Sequence, residues 1–242
     1  MRLDRAVSLA GLTRSEAKKA VAAGRVRVDG RIVQDPAMQV DPATVSVDGG
    51  APVDAGPIYI MVHKPAGVLT ATEDRRLPTV MDLLPDALRR RGLGPVGRLD
   101  RDVTGLVLLT DDGQLAHRLI SPKWKAEKQY RAACEGRLTE AEARAFAEGL
   151  ALSDFTARPA TLTILEAGDE RSLADVTLTE GRFHQVKRMF AAVGHPLVSL
   201  RRLRIGTLTL DPELQPGQWR RLTQEEVEAL RGGEDREQGK RG

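Results

Sequence analysis

The spacing of apolar positions changes several times along the chain, and each change predicts an element. Over residues 12–23, Ala17, Ala20 and Val21 share one helical face, while Arg14 and Lys18 lie a turn apart on another. Thr13 and Glu16 form a capping box at the start of this helix, and Gly24 supplies its stop. In residues 25–33 the period drops to two. Val26 and Val28 alternate with Arg25 and Arg27, and Asp29-Gly30 is a type I′ turn pair, which predicts a hairpin with an apolar inner face and an arginine outer face. Residues 35–57 carry four prolines around a weak strand signal at 44–47, and read as the end of a first domain plus a linker.

A second region opens with an apolar strand at 58–62 and a turn at 63–67. A helix over 79–91 is interrupted near Pro85. The central stretch is VGRLDRDVTGLVLLTDDG, residues 96–113. In it the apolar run 105–110 reads as a buried strand closed by the turn Asp111-Asp112-Gly113. Helices follow at 114–120, ended by Ser121-Pro122, and at 138–150, capped by Thr139 with Glu140 and Glu142 in its first turn. Strand signals lie at 160–165, 175–180 and 205–210. Between the last two, Val186, Met189, Phe190 and Val193 fall at helical spacing, with Gly194 and Pro196 as the stop. Residues 231–242 are polar and Gly-rich and read as a disordered tail.

Composition narrows the class. The 242 residues are 41% apolar and 29% charged, ordinary for a chain that buries a core. No apolar run approaches the about 18 residues of a membrane span, and the N-terminus lacks the apolar region of a signal peptide, so the expectation is a cytoplasmic protein without a membrane partner. Cys134 is the single cysteine, and His63, His117, His184 and His195 lack metal-ligand spacing, so no metal site is expected. Net charge is only +3, but residues 1–34 hold eight Lys or Arg against three acids, and residues 35–57 hold four aspartates with no Lys or Arg. That distribution points to phosphate contact by Arg14, Lys18, Arg25, Arg27 and Arg31.

The candidate chemistry is sparse. Asp100 stands between Arg98 and Arg101, just ahead of the buried strand, and nearby positive charge keeps a carboxylate ionised. Such a group serves as nucleophile or base, or else only as an ion pair that holds a loop. Tyr130 is one of two tyrosines in a chain with 3% aromatic residues. It is either one placed stacking ring or a core tyrosine with its hydroxyl at the edge. On a helical wheel Lys187 borders the apolar stripe, where it can hide its stem and present its ammonium, and Arg188 lies opposite, facing phosphate. Neither a GxGxxG nor a Walker A pattern is present, and no second carboxylate is marked out beside Asp100, which disfavours cofactor chemistry and two-carboxylate glycosidases.

Two stretches carry a family resemblance. MRLDRAVSLAGLTRSEAKKAVAAGRVRVDGRIV resembles the S4 RNA-binding domain, and GRLDRDVTGLVLLTDDG is similar to the signature of RNA pseudouridine synthases. The resemblance implies an α+β chain. Residues 1–57 form an S4-like helix-and-hairpin domain with its linker, residues 58–230 a synthase domain with a mixed, mainly antiparallel sheet flanked by helices, and residues 231–242 the tail. It implies that Asp100 is the catalytic aspartate and that Tyr130, in EKQY, stacks on the target uracil. Lys187, in EGRFHQVKRMF, pairs with the aspartate, and Arg98 supports it. Lysine at a position often occupied by arginine keeps the charge but loses the bidentate fork. The S4 module, the lysine and RFHQVKRMFAAVG most resemble the RsuA group. This implies a monomer that uses no cofactor and modifies small-subunit (16S) ribosomal RNA, at the position-516 class of uridine, in an assembling particle. The alternatives are a synthase acting on 23S RNA and, in another class, a non-catalytic RNA-binding assembly factor.

Overall fold

The structure is a computed structural model describing residues 1–53, 56–89, 92–121 and 123–232. Its contacts divide into two compact units, Met1–Ile58 with Met81–Gly94, and Tyr59–Val80 with Pro95–Gly242. The segment 81–94, left by the sequence reading in the second domain, therefore makes its contacts with the first unit.

In the first unit, α1 (Leu3–Ser8) and α2 (Arg14–Ala22) pack on a three-stranded antiparallel sheet of β1 (Val26–Val28), β2 (Arg31–Ile32) and β3 (Val45–Val47), in the order β2-β1-β3. The capping box at Thr13 is formed on both sides: Glu16 N donates to Thr13 Oγ1, and Thr13 N donates to Glu16 Oε2. Asp29 and Gly30 both take positive φ, 48° and 76°, as the type I′ turn requires, and Val28 pairs with Arg31 across it. Val26 and Val28 face the core while Arg27 is exposed. The weak strand signal at 44–47, expected at the end of the first domain, is a true strand. β3 pairs with β1, and Val40, Val45 and Val53 are buried with Leu3, Ala6, Val7, Ala17 and Val21. The prolines of residues 35–57 had masked the valine pattern. A 3₁₀ turn at Val80–Leu83 and the short α3 (Asp86–Arg89) flank Pro85, where a single helix cannot continue.

The chain continues through β4 (Tyr59–Lys64), β5 (Gly94–Pro95), β6 (Thr104–Thr110), α4 (Gly113–Ile120), β7 (Lys128–Glu135), α5 (Glu140–Glu148), β8 (Thr161–Ala167), β9 (Arg171–Leu178), α6 (Gln185–Ala192), β10 (Leu197–Ile205), β11 (Leu208–Thr209), β12 (Trp219–Arg221) and α7 (Gln224–Gly232). Nine strands form one sheet, seven of them in the order β12-β4-β6-β10-β7-β9-β8, with β11 added to β10 and β5 to β6. Among the seven and β11, β6 and β10 run parallel and the others antiparallel, so the sheet is mixed and mainly antiparallel as expected. Strand β4 and residues 105–110 of β6 are buried throughout, which is why they read as continuous apolar runs. The flanking β7 and β9 alternate instead, burying Tyr130, Ala132 and Cys134 on one and Ser172, Ala174, Val176 and Leu178 on the other.

Helix α4 is capped by Asp112, whose Oδ1 accepts from Gln114 N and Leu115 N. Its Leu115 and Leu119 share a core with Met61, Leu106, Leu108 and Ile205. Helices α5 and α6 meet through an edge-to-face pair, Phe146 on Phe190, with ring centroids 5.2 Å apart. Both rings are fully buried, and truncating either to Ala costs about 3–5 kcal/mol. The expected strand 205–210 is instead a hairpin, because Gly206 turns the chain at φ 55° between β10 and β11. Arg231 is not part of a tail. Helix α7 buries Val227 and Leu230, and the Arg231 guanidinium donates to both Tyr59 Oη and Asp112 Oδ2. The rest of the expected tail, 233–242, lies outside the described residues, as does Pro122.

Candidate active site

The Asp100 loop sits where the sheet turns parallel. Gly105, with φ 107°, is where β6 passes closest to β10: a Cβ there would lie 2.2 Å from the carbonyl oxygen of Arg202, so no other residue fits. Just before it, a segment at the end of β4 holds the loop. Thr70 Oγ1, buried, donates to Leu99 O at 2.9 Å and accepts from Leu99 N at 3.2 Å. The Arg101 carbonyl accepts from Gly67 N at 2.8 Å and from Lys64 Nζ at 3.0 Å. Lys64 is fully buried and donates also to Pro65 O. Burial pushes its pKa down to about 8, against the pull of Asp102 and Asp100. The backbone on both sides of Asp100 is thus fixed by groups from one neighbouring segment.

The Asp100 carboxylate, 28% exposed, opens into a cleft lined by Arg98, Val103, Tyr130, Arg182, His184 and Lys187 among others. All four residues expected to act together line this cleft, and of them Lys187 meets Asp100 directly. Lys187 Nζ lies 3.1 Å from Asp100 Oδ2 and also donates to Asp102 Oδ1 at 2.7 Å. Burial works against the lysine's charge, but the hydrogen bonds to Asp102 and Asp100 outweigh it and hold the ammonium above its ordinary range. The same bond from Lys187 holds the Asp102 carboxyl below the usual range, burial opposing. Tyr130, on β7, is 8% exposed and lines the cleft. Arg98 lines the cleft too, but among the described residues it makes no ion pair with Asp100. His184 stands there instead, with Nε2 3.6 Å from Asp100 Oδ1.

Arg188 departs from its expected role. Its guanidinium is engaged by Asp154 and Ser153 and lies over the Phe155 ring at 5.1 Å, so it braces the 153–155 turn and is not presented to phosphate. In the first unit Arg14, Lys18, Arg27 and Arg31 are exposed on α2 and the hairpin. Arg25 is exposed as well, but in a bidentate pair with Asp48, whose Nε–Oδ1 distance is 2.7 Å. Among the described residues no three His, Cys, Asp or Glu side chains gather closely enough to hold a metal ion, and no helix is long and apolar enough to cross a membrane.

A family model described as RNA pseudouridylate synthase matches residues 58–192, and an S4 domain model matches residues 1–45. The chain belongs to the RNA pseudouridine synthases. It is 42% identical to "Ribosomal small subunit pseudouridine synthase A" of Escherichia coli (strain K12), over 95% of this chain and 100% of that protein. It is also 42% identical to "Uncharacterized RNA pseudouridine synthase YtzG" of Bacillus subtilis (strain 168), over 95% of this chain and 98% of that one. Among solved structures, one titled "Crystal structure of pseudouridylate synthase" aligns with a TM-score of 0.68 at 39% identity, covering 95% of this chain and 99% of its own.

In this synthase, Lys64, Thr70, Asp102 and His184 surround the Asp100 carboxylate or its loop without having been expected there from the sequence. Lys64 left a usable signal, a lysine ending an otherwise apolar strand ahead of Pro65 and Gly67. Such a lysine is buried only if its ammonium finds carbonyls. Asp102 and His184 left none, since Lys187 lies 85 residues from Asp102 in the chain and His184 meets Asp100 only through the fold.

Proposed function

We propose that this pseudouridine synthase acts on small-subunit (16S) ribosomal RNA, at the position-516 class of uridine, within an assembling particle and as a monomer. The observation that carries the target is the end-to-end similarity to the Escherichia coli enzyme named for the small subunit, combined with lysine at position 187. In the reaction the target uridine leaves the RNA stack at a cost of a few kcal/mol and enters the Asp100 cleft. Tyr130 packs against the uracil face. Asp100 assists cleavage of the N1–C1′ bond, the base turns within the cleft, C5 bonds to C1′, and the C5 proton passes to solvent while N1 takes up a proton from solvent. Lys187 pairs with Asp100 and aims it, and Asp102 steadies Lys187. No redox partner or external energy enters, because the product is an isomer of the substrate. Arg14, Lys18, Arg25, Arg27 and Arg31 contribute phosphate contacts.

The test is tritium release from RNA labelled at uridine C5, offered as immature small-subunit or large-subunit particles, with wild type and Asp100→Asn. Release from the small-subunit sample by wild type alone supports the reading. Release only from large-subunit RNA moves the target. Silence on both with RNA binding intact leaves an assembly factor.

A further inference from the structure

Phe183 is 76% exposed, more than any other large apolar side chain among the described residues. A single surface aromatic needs no explanation in itself, but three features set this one apart. Its ring stacks on the His184 imidazole, with centroids 3.7 Å apart and planes 19° from parallel, so one face is covered and fixed while the other meets solvent. His184 takes a left-handed backbone, φ 50° and ψ 29°, at the start of α6, and its side chain makes no capping bond. Such strain in a non-glycine residue persists only where the surroundings enforce it, and it clusters at functional sites. What it achieves here is position: the imidazole edge comes to 3.6 Å from Asp100 while its face carries Phe183. The adjoining turn is itself built rigidly. Buried Gln185 donates to Glu180 Oε1 at 2.6 Å and accepts from Arg182 N at 2.9 Å, and the Arg182 guanidinium lies over Phe155 at 4.2 Å. The result is a solvent-facing aromatic plane on a rigid mount, flanked in sequence by two residues that line the cleft, Arg182 and His184, with the exposed cations Arg98 and Arg182 both on that lining.

A plane so placed matches one ligand chemistry, a nucleobase on a polyanionic strand. When a uridine turns out of its stack, its neighbour loses a stacking partner, and an aromatic face can replace that partner whatever the identity of the base. We propose that Phe183, backed by His184, is the stacking seat for the nucleobase next to the flipped uridine. This rests on the reading that the Asp100 cleft receives that uridine.

The experiment uses the full chain with ribosomal RNA from small-subunit particles, or from large-subunit particles if those prove to be the substrate. Phe183→Ala is expected to lower kcat/KM for tritium release about tenfold, with the salt dependence of RNA binding unchanged, since stacking and not phosphate contact is lost. Phe183→Trp is expected to keep turnover near wild type. Its emission is expected to be quenched by RNA beyond the change from the native Trp124 and Trp219 measured in wild type. Wild-type turnover with Phe183→Ala indistinguishable from it overturns the stacking seat. So does a Phe183→Trp signal indifferent to RNA, which would leave Phe183 as a prop for His184. If wild type releases no tritium from either RNA, the underlying reading fails instead, and the fluorescence arm still reports whether a base stacks on residue 183.

Discussion

The two units use the same residue types to opposite ends. In the first, cations stand on the surface: Arg25 and Asp48 form a bidentate pair with both side chains about half exposed, 51% and 52%. In the second, Lys187 is 26% exposed and shared between Asp100 and Asp102, and Lys64 beneath it is wholly buried on two carbonyls. A surface pair gains little, because water screens it and long side chains must be ordered to make it. A pair at a cleft floor acts where the dielectric is low, and removing one member leaves the other uncompensated. Single substitutions are therefore expected to be severe in the second unit and mild in the first.

Asp100→Asn makes the sharpest break. It removes the negative charge the cleft is built around and keeps the shape, so product formation is expected to fall by at least about a thousandfold. RNA affinity should stay within about twofold, because the lost interaction belongs to the transition state. Full turnover by this variant would end the assignment of Asp100. Lys187→Met comes next, with a loss of about a hundredfold in single-turnover rate, while Lys187→Arg, which keeps the charge, should recover most of it. Equal losses in the Met and Arg variants would point to packing and not to charge.

The parts of the site that could be singled out in the sequence are those where an uncommon residue type stands in a short local pattern. Asp100 ahead of an apolar strand, Tyr130 as a rare ring, and Lys187 at the border of a helical stripe are of this kind, and all three line one cleft. The hairpin at Asp29-Gly30, the capping box at Thr13 and the cap at Thr139 were equally legible, because each is decided within four residues. What escaped depends on distant partners. The resemblance singled out Lys187 as the partner of Asp100, whereas only the fold shows that His184, and not Arg98, stands beside the same carboxylate. Arg188 faced away from the apolar stripe as the wheel required, yet what it faced was Asp154 and not solvent.

Lys64 offers a test by pH. Its pKa is pushed from 10.5 to about 8 by burial. A group depressed in the folded state contributes its stability above the unfolded value and loses it as pH falls through the folded one. The unfolding free energy of wild type, measured against Lys64→Met by urea denaturation, should therefore rise between pH 8 and 10.5, by about 3 kcal/mol in all. Residues common to both proteins cancel in the difference. A difference that is flat with pH would mean that the ammonium is not buried as a cation.

The smallest effects are expected on the hairpin face of the first unit. Arg27 is exposed, and its Nη1 donates only to the nearby Gly30 carbonyl, while Arg25 is already neutralised by Asp48. If both meet phosphate, each change to Ala should weaken RNA binding a few-fold and lower the slope of log affinity against log salt by about one. Arg25 must release Asp48 before it can serve RNA, so its loss should be the smaller of the two, and Asp48→Asn should strengthen binding. Folding stability should move by no more than about 1 kcal/mol in any of these variants. An unchanged salt slope for Arg27→Ala would remove that arginine from the RNA-facing surface, and a tenfold or larger effect from Arg25→Ala would show that the pair with Asp48 opens at little cost.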